Sequence, residues 1–224
     1  MTEAVRAGSA RGAAYLGGGT WLNSGVARNV TTLVSLEHLG LDFSHVEGDR
    51  CVIGAAATFQ AIADSAHVPA GLRDAVRLTA SRTLRNMVTL GGELGLAPRD
   101  SAVIPLLLAL DAQVSLAGRK KPVPIRALLG EKKTDLILSV SIPARRAAAV
   151  RAVSRTSHSP KSLVVAVSGE RVVASDCQGQ TVFLEQVEKF DPRPDLHASA
   201  EYKRHMAGVL VADLRAALAK GDAR

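Results

Sequence analysis

Aromatic residues make up only 3% of this 224-residue chain, although hydrophobic residues reach 47%. Its core must therefore be assembled from Ala, Val, Leu and Ile. The interleaved basic and stacking aromatic residues of a nucleic-acid platform are missing. Cysteine occurs twice, at Cys51 and Cys177, without CxxC spacing. An iron–sulfur cluster needs about four thiolates and a zinc site about four ligands, so the chain cannot hold such a cluster alone. Two buried, reduced thiols are the plain alternative. Six histidines, at 38, 45, 67, 158, 197 and 205, show no metal-ligand spacing, and no metal site is expected. The longest apolar run, Ala102–Leu110, falls well short of the roughly 20 residues that span a bilayer. Met1-Thr2-Glu3-Ala4-Val5-Arg6 carries no apolar segment behind a basic one. A cytoplasmic protein without a membrane span is the expectation. GxxxxGK[ST], strand–GxGxxG–helix, HExxH and GxSxG patterns are all lacking, which removes Walker, Rossmann, zinc-protease and serine-hydrolase readings.

What is present is ordinary in amount and uneven in place. Residues 1–118 hold nine basic and ten acidic side chains, and the remainder holds nineteen and eleven, so the net charge of +7 sits in the second half. A solvated basic face accounts for this, and docking to an acidic partner subunit is the second reading. Strand and helix patterns alternate, which predicts an α+β chain. Strands are expected at Ala13–Leu16, Thr31–Leu36, Cys51–Ala57, Ala112–Leu116 and Leu136–Ile142. Thr58 is placed to cap a helix over Phe59–Ser65, and Pro69 to open another with Leu72, Val76 and Leu78 inward. Asp100 and Ser101 are placed to cap a helix through Leu110.

From about residue 144 the pattern turns antiparallel: Arg151–Ser157, Ser162–Val167 and Val172–Ser175, with Ser168-Gly169-Glu170 as a turn. A final helix, Glu201–Lys220, aligns Tyr202, Met206, Val209, Leu210, Leu214 and Leu218 on one face. These breaks divide the chain into segments 1–45, 46–145 and 146–224.

Two glycine clusters stand out. Gly17-Gly18-Gly19-Thr20 and Thr89-Leu90-Gly91-Gly92 each follow a strand-like stretch, about 70 positions apart. Glycine lets backbone amides approach a phosphate and turn toward one anion, and Thr20 and Thr89 add hydroxyl donors. Either cluster alone is a common turn. Together they suggest a phosphate-binding pair. Asp100 reads either as a helix cap or as an anchor beside a bound cofactor.

The surrounding residues carry a more specific resemblance. Tyr15-Leu16-Gly17-Gly18-Gly19-Thr20-Trp21-Leu22-Asn23 resembles the first flavin pyrophosphate loop of the molybdopterin dehydrogenase FAD-binding family, the flavoprotein component of molybdenum hydroxylases such as xanthine and carbon monoxide dehydrogenases. Ile53-Gly54-Ala55-Ala56-Ala57-Thr58 is similar to its IGA-x-x-T element, and Arg85-Asn86-Met87-Val88-Thr89-Leu90-Gly91-Gly92 to its RN-x-x-T-x-GG signature. Asp100 with Pro105–Ala112 fits the segment that follows, and Ser199–Arg204 resembles the start of the family's last helix.

The resemblance implies a vanillyl-alcohol-oxidase-type FAD-binding fold with a smaller C-terminal domain of antiparallel sheet plus helix. It implies bound FAD passing electrons between an iron–sulfur subunit and NAD or another acceptor. Molybdopterin would sit in a separate large subunit, and no catalytic acid or base is expected here. By position, Leu16–Asn23 and Thr89, Gly91, Gly92 and Glu93 would bind the cofactor, with Thr58 and Asp100 in support. Arg155–Lys161 would lie near the flavin ring. The alternative is a flavin-poor structural or assembly subunit of the same kind of complex. One departure is plain: the family usually has Asn where this chain has Glu93. The family's first strand and helix, and its C-terminal domain between Phe190 and Ser199, also look shortened here.

Overall fold

Among the described residues, short aliphatic strands, several of them joined through glycine turns, build three sheets, with helices packed against them. The structure is a computed structural model that describes residues 1–24, 29–129, 135–156, 159–184 and 187–221. Helix α1 (Thr2–Gly8) precedes β1 (Ala13–Leu16) and β2 (Thr32–Ser35), which pair in parallel with Ala13 opposite Thr32. The hairpin β3 (Ser44–Glu47) and β4 (Arg50–Gly54) follows, turned at Gly48 with φ +59°. A helical stretch then runs α2 (Phe59–Asp64), α3 (Ala70–Thr79), α4 (Arg82–Arg85), α5 (Leu90–Leu96) and α6 (Val103–Ala109). After it come β5 (Gln113–Leu116), β6 (Val123–Pro124), α7 (Ile125–Leu128) and β7 (Ile137–Pro143). The second sheet has the order β3-β4-β7-β5-β6.

The last part contains β8 (Ala149–Val153), β9 (Leu163–Ser168), β10 (Arg171–Ser175), β11 (Thr181–Phe183) and α8 (Ala200–Lys220). Its antiparallel sheet has the order β11-β10-β9-β8. Strand β9 is buried on both faces. Val164 and Ala166 join the core that contains Leu72, Leu106 and Ile53, whereas Leu163, Val165 and Val167 face Leu210 and Leu214 of α8. Alternation along a strand sends successive side chains to opposite faces, so one strand holds both cores together.

Ser199 caps α8 by accepting from the Tyr202 amide at 3.1 Å. The buried face of α8 is Lys203, Ala207, Leu210, Val211 and Leu214, turned by about one residue from the sequence expectation, and Tyr202 and Val209 are exposed. The reason is Lys203. Its ammonium is fully buried and donates to Asp195 Oδ2 at 2.8 Å and to the carbonyls of Asp176 (2.9 Å) and Arg193 (2.8 Å). A buried ammonium with three acceptors is satisfied, so a lysine occupies a position that a hydrophobicity pattern assigns to solvent.

Other expectations also shift. Leu78 is exposed, and Ala75 takes the inner position on α3. Ser101 alone caps α6, accepting from the amides of Val103 (3.2 Å) and Ile104 (3.1 Å), and Asp100 makes no cap. Strand β8 ends at Val153, and the expected strand residue Ser157, like His158, lies outside the described residues. The second glycine cluster does not follow a strand. It forms the first turn of α5, capped by Thr89, and its strand-like contact is a single bridge from Thr89 to Thr58.

Candidate functional site

The first glycine segment leaves the end of β1. The Leu36 amide donates to the Leu16 carbonyl at 3.1 Å, and the Asn23 amide returns to the Gly19 carbonyl at 2.9 Å. Gly19 has φ +70°, the left-handed region that glycine tolerates. The second segment is held from behind by the strand-to-helix connection after β4. The amides of Phe59, Leu90 and Gly91 pair with the carbonyls of Val88, Ala57 and Ala55, at 2.9, 3.0 and 2.7 Å. Thr58 accepts from the Ala61 amide at 3.1 Å and bridges to Thr89, so its position supports the loop.

The two segments meet directly. A Cβ on Gly18 would collide with the Met87 carbonyl, and one on Gly17 would lie 2.7 Å from Thr89 Oγ1. A Cβ on Gly91 would lie 2.8 Å from that of Ala55. These glycines are therefore required by the approach of chain to chain, a different reason from the approach of a phosphate. Gly92 differs: a Cβ there would meet only Thr89 Oγ1, at 3.0 Å.

Between the segments lies a cavity of about 550 Å³, a size that suits a small-molecule or cofactor site. Gly17–Leu22 line it on one side and Thr89, Gly91, Gly92 and Glu93 on the other. Tyr15, Gly95, Leu96 and Asp135–Ile137 also line it. Leu16, Asn23, Thr58 and Asp100 lie outside that wall. Leu16 and Asn23 pack near Gly19. Asp100 acts through its charge on Glu93 and Cys177.

Donor geometry separates the two segments. The amides of Gly17, Gly18, Gly19 and Thr20 donate to no carbonyl among the described residues and are available to an anion. The amides of Gly91 and Gly92 are engaged, with the Ala55 carbonyl at 2.7 Å and with Thr89 Oγ1 at 3.2 Å. Of the two segments, the first thus keeps unengaged amides among the described residues. The second contributes shape and the Thr89 hydroxyl, which accepts from Gly92 and keeps its own hydrogen to donate.

Glu93 is 5% exposed, and its Oε1 has no hydrogen-bond partner. Burial pushes its carboxyl up to about 7; the Ser101 hydroxyl and Lys161 favour the charge, and Asp100 opposes it. Lys161 is thus near enough to Glu93 for its charge to act there, while Ser157 and His158 of the same stretch lie outside the described residues. Burial, then the Asp135 carboxylate, raises the Tyr15 hydroxyl. Tyr15 adjoins the first motif in sequence. Asp135, Leu136 and Ile137 carry no local motif and reach the site because β7 pairs with β4 and β5.

Residues 1–145 match the family model described as the FAD binding domain in molybdopterin dehydrogenase. The chain belongs to this family. FAD is the cofactor that goes with it, and the cavity suits such a group: Gly17–Thr20, whose amides donate to no carbonyl among the described residues, line it, and a Cβ at Gly92 or Gly95 would meet little or nothing. The FAD-binding chain is 31% identical to the uncharacterized protein YgfM of Escherichia coli (strain K12) over 226 residues, covering 91% of this chain and 87% of that protein.

Its fold is shared by solved structures, among them the following two. One is the carbon monoxide dehydrogenase from Hydrogenophaga pseudoflava which lacks the Mo-pyranopterin moiety of the molybdenum cofactor. Its TM-score is 0.81 at 23% identity, covering 96% of this chain and 93% of that one. The other is quinoline 2-oxidoreductase from Pseudomonas putida 86, with a TM-score of 0.87 at 17% identity, covering 100% and 95%. The α+β FAD-binding fold expected from the sequence is the fold observed. Among the described residues, no helix is long and apolar enough to cross a membrane.

Proposed function

We propose that this chain is the electron-transferring FAD subunit of a molybdenum hydroxylase. It would accept electrons from an iron–sulfur partner and deliver them to NAD or another acceptor, with molybdopterin held in a separate large subunit. The observation that carries this reading is the cavity between the two glycine segments, in a chain of the FAD-binding family. Bound FAD supplies the redox chemistry, and the protein supplies binding and orientation. Gly17–Thr20 would hold the pyrophosphate through backbone amides, and Thr89 would add a hydroxyl donor. Gly91 and Gly92 would keep the opposite wall low, while Trp21, Leu22 and Leu96 would exclude water from the apolar part of the ligand.

The test is direct. The purified chain, alone or with its co-expressed partners, is denatured and the supernatant chromatographed. Recovery of FAD, at up to about one per protomer, supports the assignment. Consistent recovery of FMN, or of no flavin even from the intact complex, overturns it.

One observation favours a second reading, a flavin-poor assembly subunit. The second segment offers an engaged amide pair and a buried carboxyl, leaving the Thr89 hydroxyl to donate. A complex that assembles and transfers electrons without flavin in this chain would establish it.

A further inference from the structure

Another cavity, of about 420 Å³, lies between the α5–α6 connection, α6 and α7 on one side and the β10–β11 hairpin on the other. Ile104, Leu108 and Leu129 give it an apolar floor. Thr181 and Phe183 of β11 form one wall, and Phe183 is 41% exposed. Guanidiniums bridge the two sides. Arg126 reaches from α7 over the Phe183 ring, 5.0 Å from its centroid. Arg99 Nε stands 3.6 Å from where a Cβ on Gly179 would be, so this side chain spans from the α5–α6 connection to the hairpin.

Neither charge is met within the chain. Arg77, Arg171 and Arg204 each have an acidic partner within 3.3 Å, but among the described residues Arg99 and Arg126 have none. Nor does any Asp or Glu among those residues line the cavity. The neighbouring Arg193 is already matched to Asp176, at 3.3 Å. Arginine and an exposed aromatic on an apolar floor, without Lys, Asp or Glu, is the composition of the core of a protein interface.

Backbone geometry gives a reason for a polypeptide to lie here. Strand β11 is the edge of its sheet. The Asp176 amide donates to the Gln180 carbonyl at 3.0 Å, and the Leu184 amide to the Val172 carbonyl at 2.8 Å. Bonded and non-bonded positions alternate in an antiparallel ladder, so Thr181 and Phe183 turn their backbone groups away from β10. Such an edge accepts another extended chain. Guanidiniums on its flank suit carboxylates, which they bind through paired N–H donors.

We propose that this groove docks an extended, acidic segment of a partner subunit, with carboxylates on Arg99 and Arg126 and an apolar side chain beside Phe183. This rests on the multi-subunit complex proposed above, and adds the surface that holds it and the chemistry of the segment that binds.

The full chain is co-expressed with the iron–sulfur and large subunits, and dissociation of the purified complex on dilution is followed by gel filtration at fixed salt. Arg99→Glu with Arg126→Glu should weaken association by roughly thirtyfold or more. Arg145→Glu with Arg146→Glu makes the same charge change at exposed positions outside the groove, and should weaken it by less than about threefold. Hydrogen exchange on wild type needs no variant. The amides of Thr181 and Phe183 should exchange at least about tenfold more slowly in the complex than in the free chain.

Assembly of the Arg99→Glu, Arg126→Glu chain at wild-type affinity overturns the proposal, as does an equal loss in the two double variants. Unchanged exchange at Thr181 and Phe183 on assembly overturns it too. If inorganic pyrophosphate alone protects those amides in the free chain, the groove is a small-anion site and the docking proposal fails. A wild-type chain that joins no complex removes the complex and this inference together. A complex indifferent to the groove removes only the inference.

Discussion

Gly18 lies against the Met87 carbonyl so closely that no side chain fits between them. Residues far apart in sequence are thereby locked together, and Gly17 against Thr89 repeats the contact beside it. The cavity is lined by both of the segments that meet here.

Gly18→Ala should therefore damage the site by prising its walls apart. Overpacking against backbone costs about 1–3 kcal/mol, and the upper end is expected because a carbonyl cannot rotate away as a side chain does. FAD affinity should fall by about tenfold or more. Chemical denaturation paired with FAD titration measures both. A variant with wild-type stability and affinity would show that the loops need no such contact.

Gly92→Val should behave in the opposite way. Gly92 is not among the positive-φ residues, so a side chain there carries no left-handed strain, and its one close neighbour is Thr89 Oγ1 at 3.0 Å. Stability should stay within about 1 kcal/mol of wild type, because the helix loses a glycine and Thr89 must shift slightly. Flavin retention should be lost, since the new methyl groups project toward the cavity. Full retention at unchanged affinity would mean that the cofactor does not reach this wall.

Glu93 should make the flavin-free protein less stable at high pH. Its folded pKa of about 7 lies above the ordinary value of 4.5. A group raised in the folded state stabilises fully below its unfolded pKa, and that contribution is lost as pH rises through the folded pKa. Stability should decline from about pH 4.5 to above pH 7, by up to about 3 kcal/mol. Glu93→Gln should remove this decline. Denaturation midpoints across that window decide it, and parallel curves for the two proteins would refute a buried, easily protonated Glu93.

Lys203 and Asp195 form a buried pair at 2.8 Å that ties α8 to the segment before it. Lys203→Met strands a carboxylate and two carbonyls, and should cost about 3–5 kcal/mol. Burial opposes the charge on Asp195, but hydrogen bonds from Lys203, the His197 amide, Ser162 and the Ala198 amide outweigh it and hold the carboxyl below its usual range. A depressed folded pKa gives stability above the unfolded value of about 3.9 that disappears as pH falls through the folded one. The gap between variant and wild type should therefore narrow below about pH 4. A gap independent of pH would assign the cost to packing instead of charge.

The amino-acid sequence by itself determined the family, the α+β class and most strands. Strand β1, the Thr58 cap and β7 follow from strand-like composition and capping chemistry, which are local. It also located the two glycine segments and the departure at Glu93. Tertiary structure alone decided that Gly17 and Gly18 serve contact between loops, and that only the first segment keeps free amides. Those properties depend on which carbonyl another part of the chain brings close. The same holds for Asp135–Ile137, carried to the cavity by sheet pairing, and for Lys203, whose buried charge is tolerable only beside Asp195. A single residue's chemistry does not reveal its partner. The partner settles whether a glycine makes room for a ligand or for the chain, and whether a lysine faces water or the core.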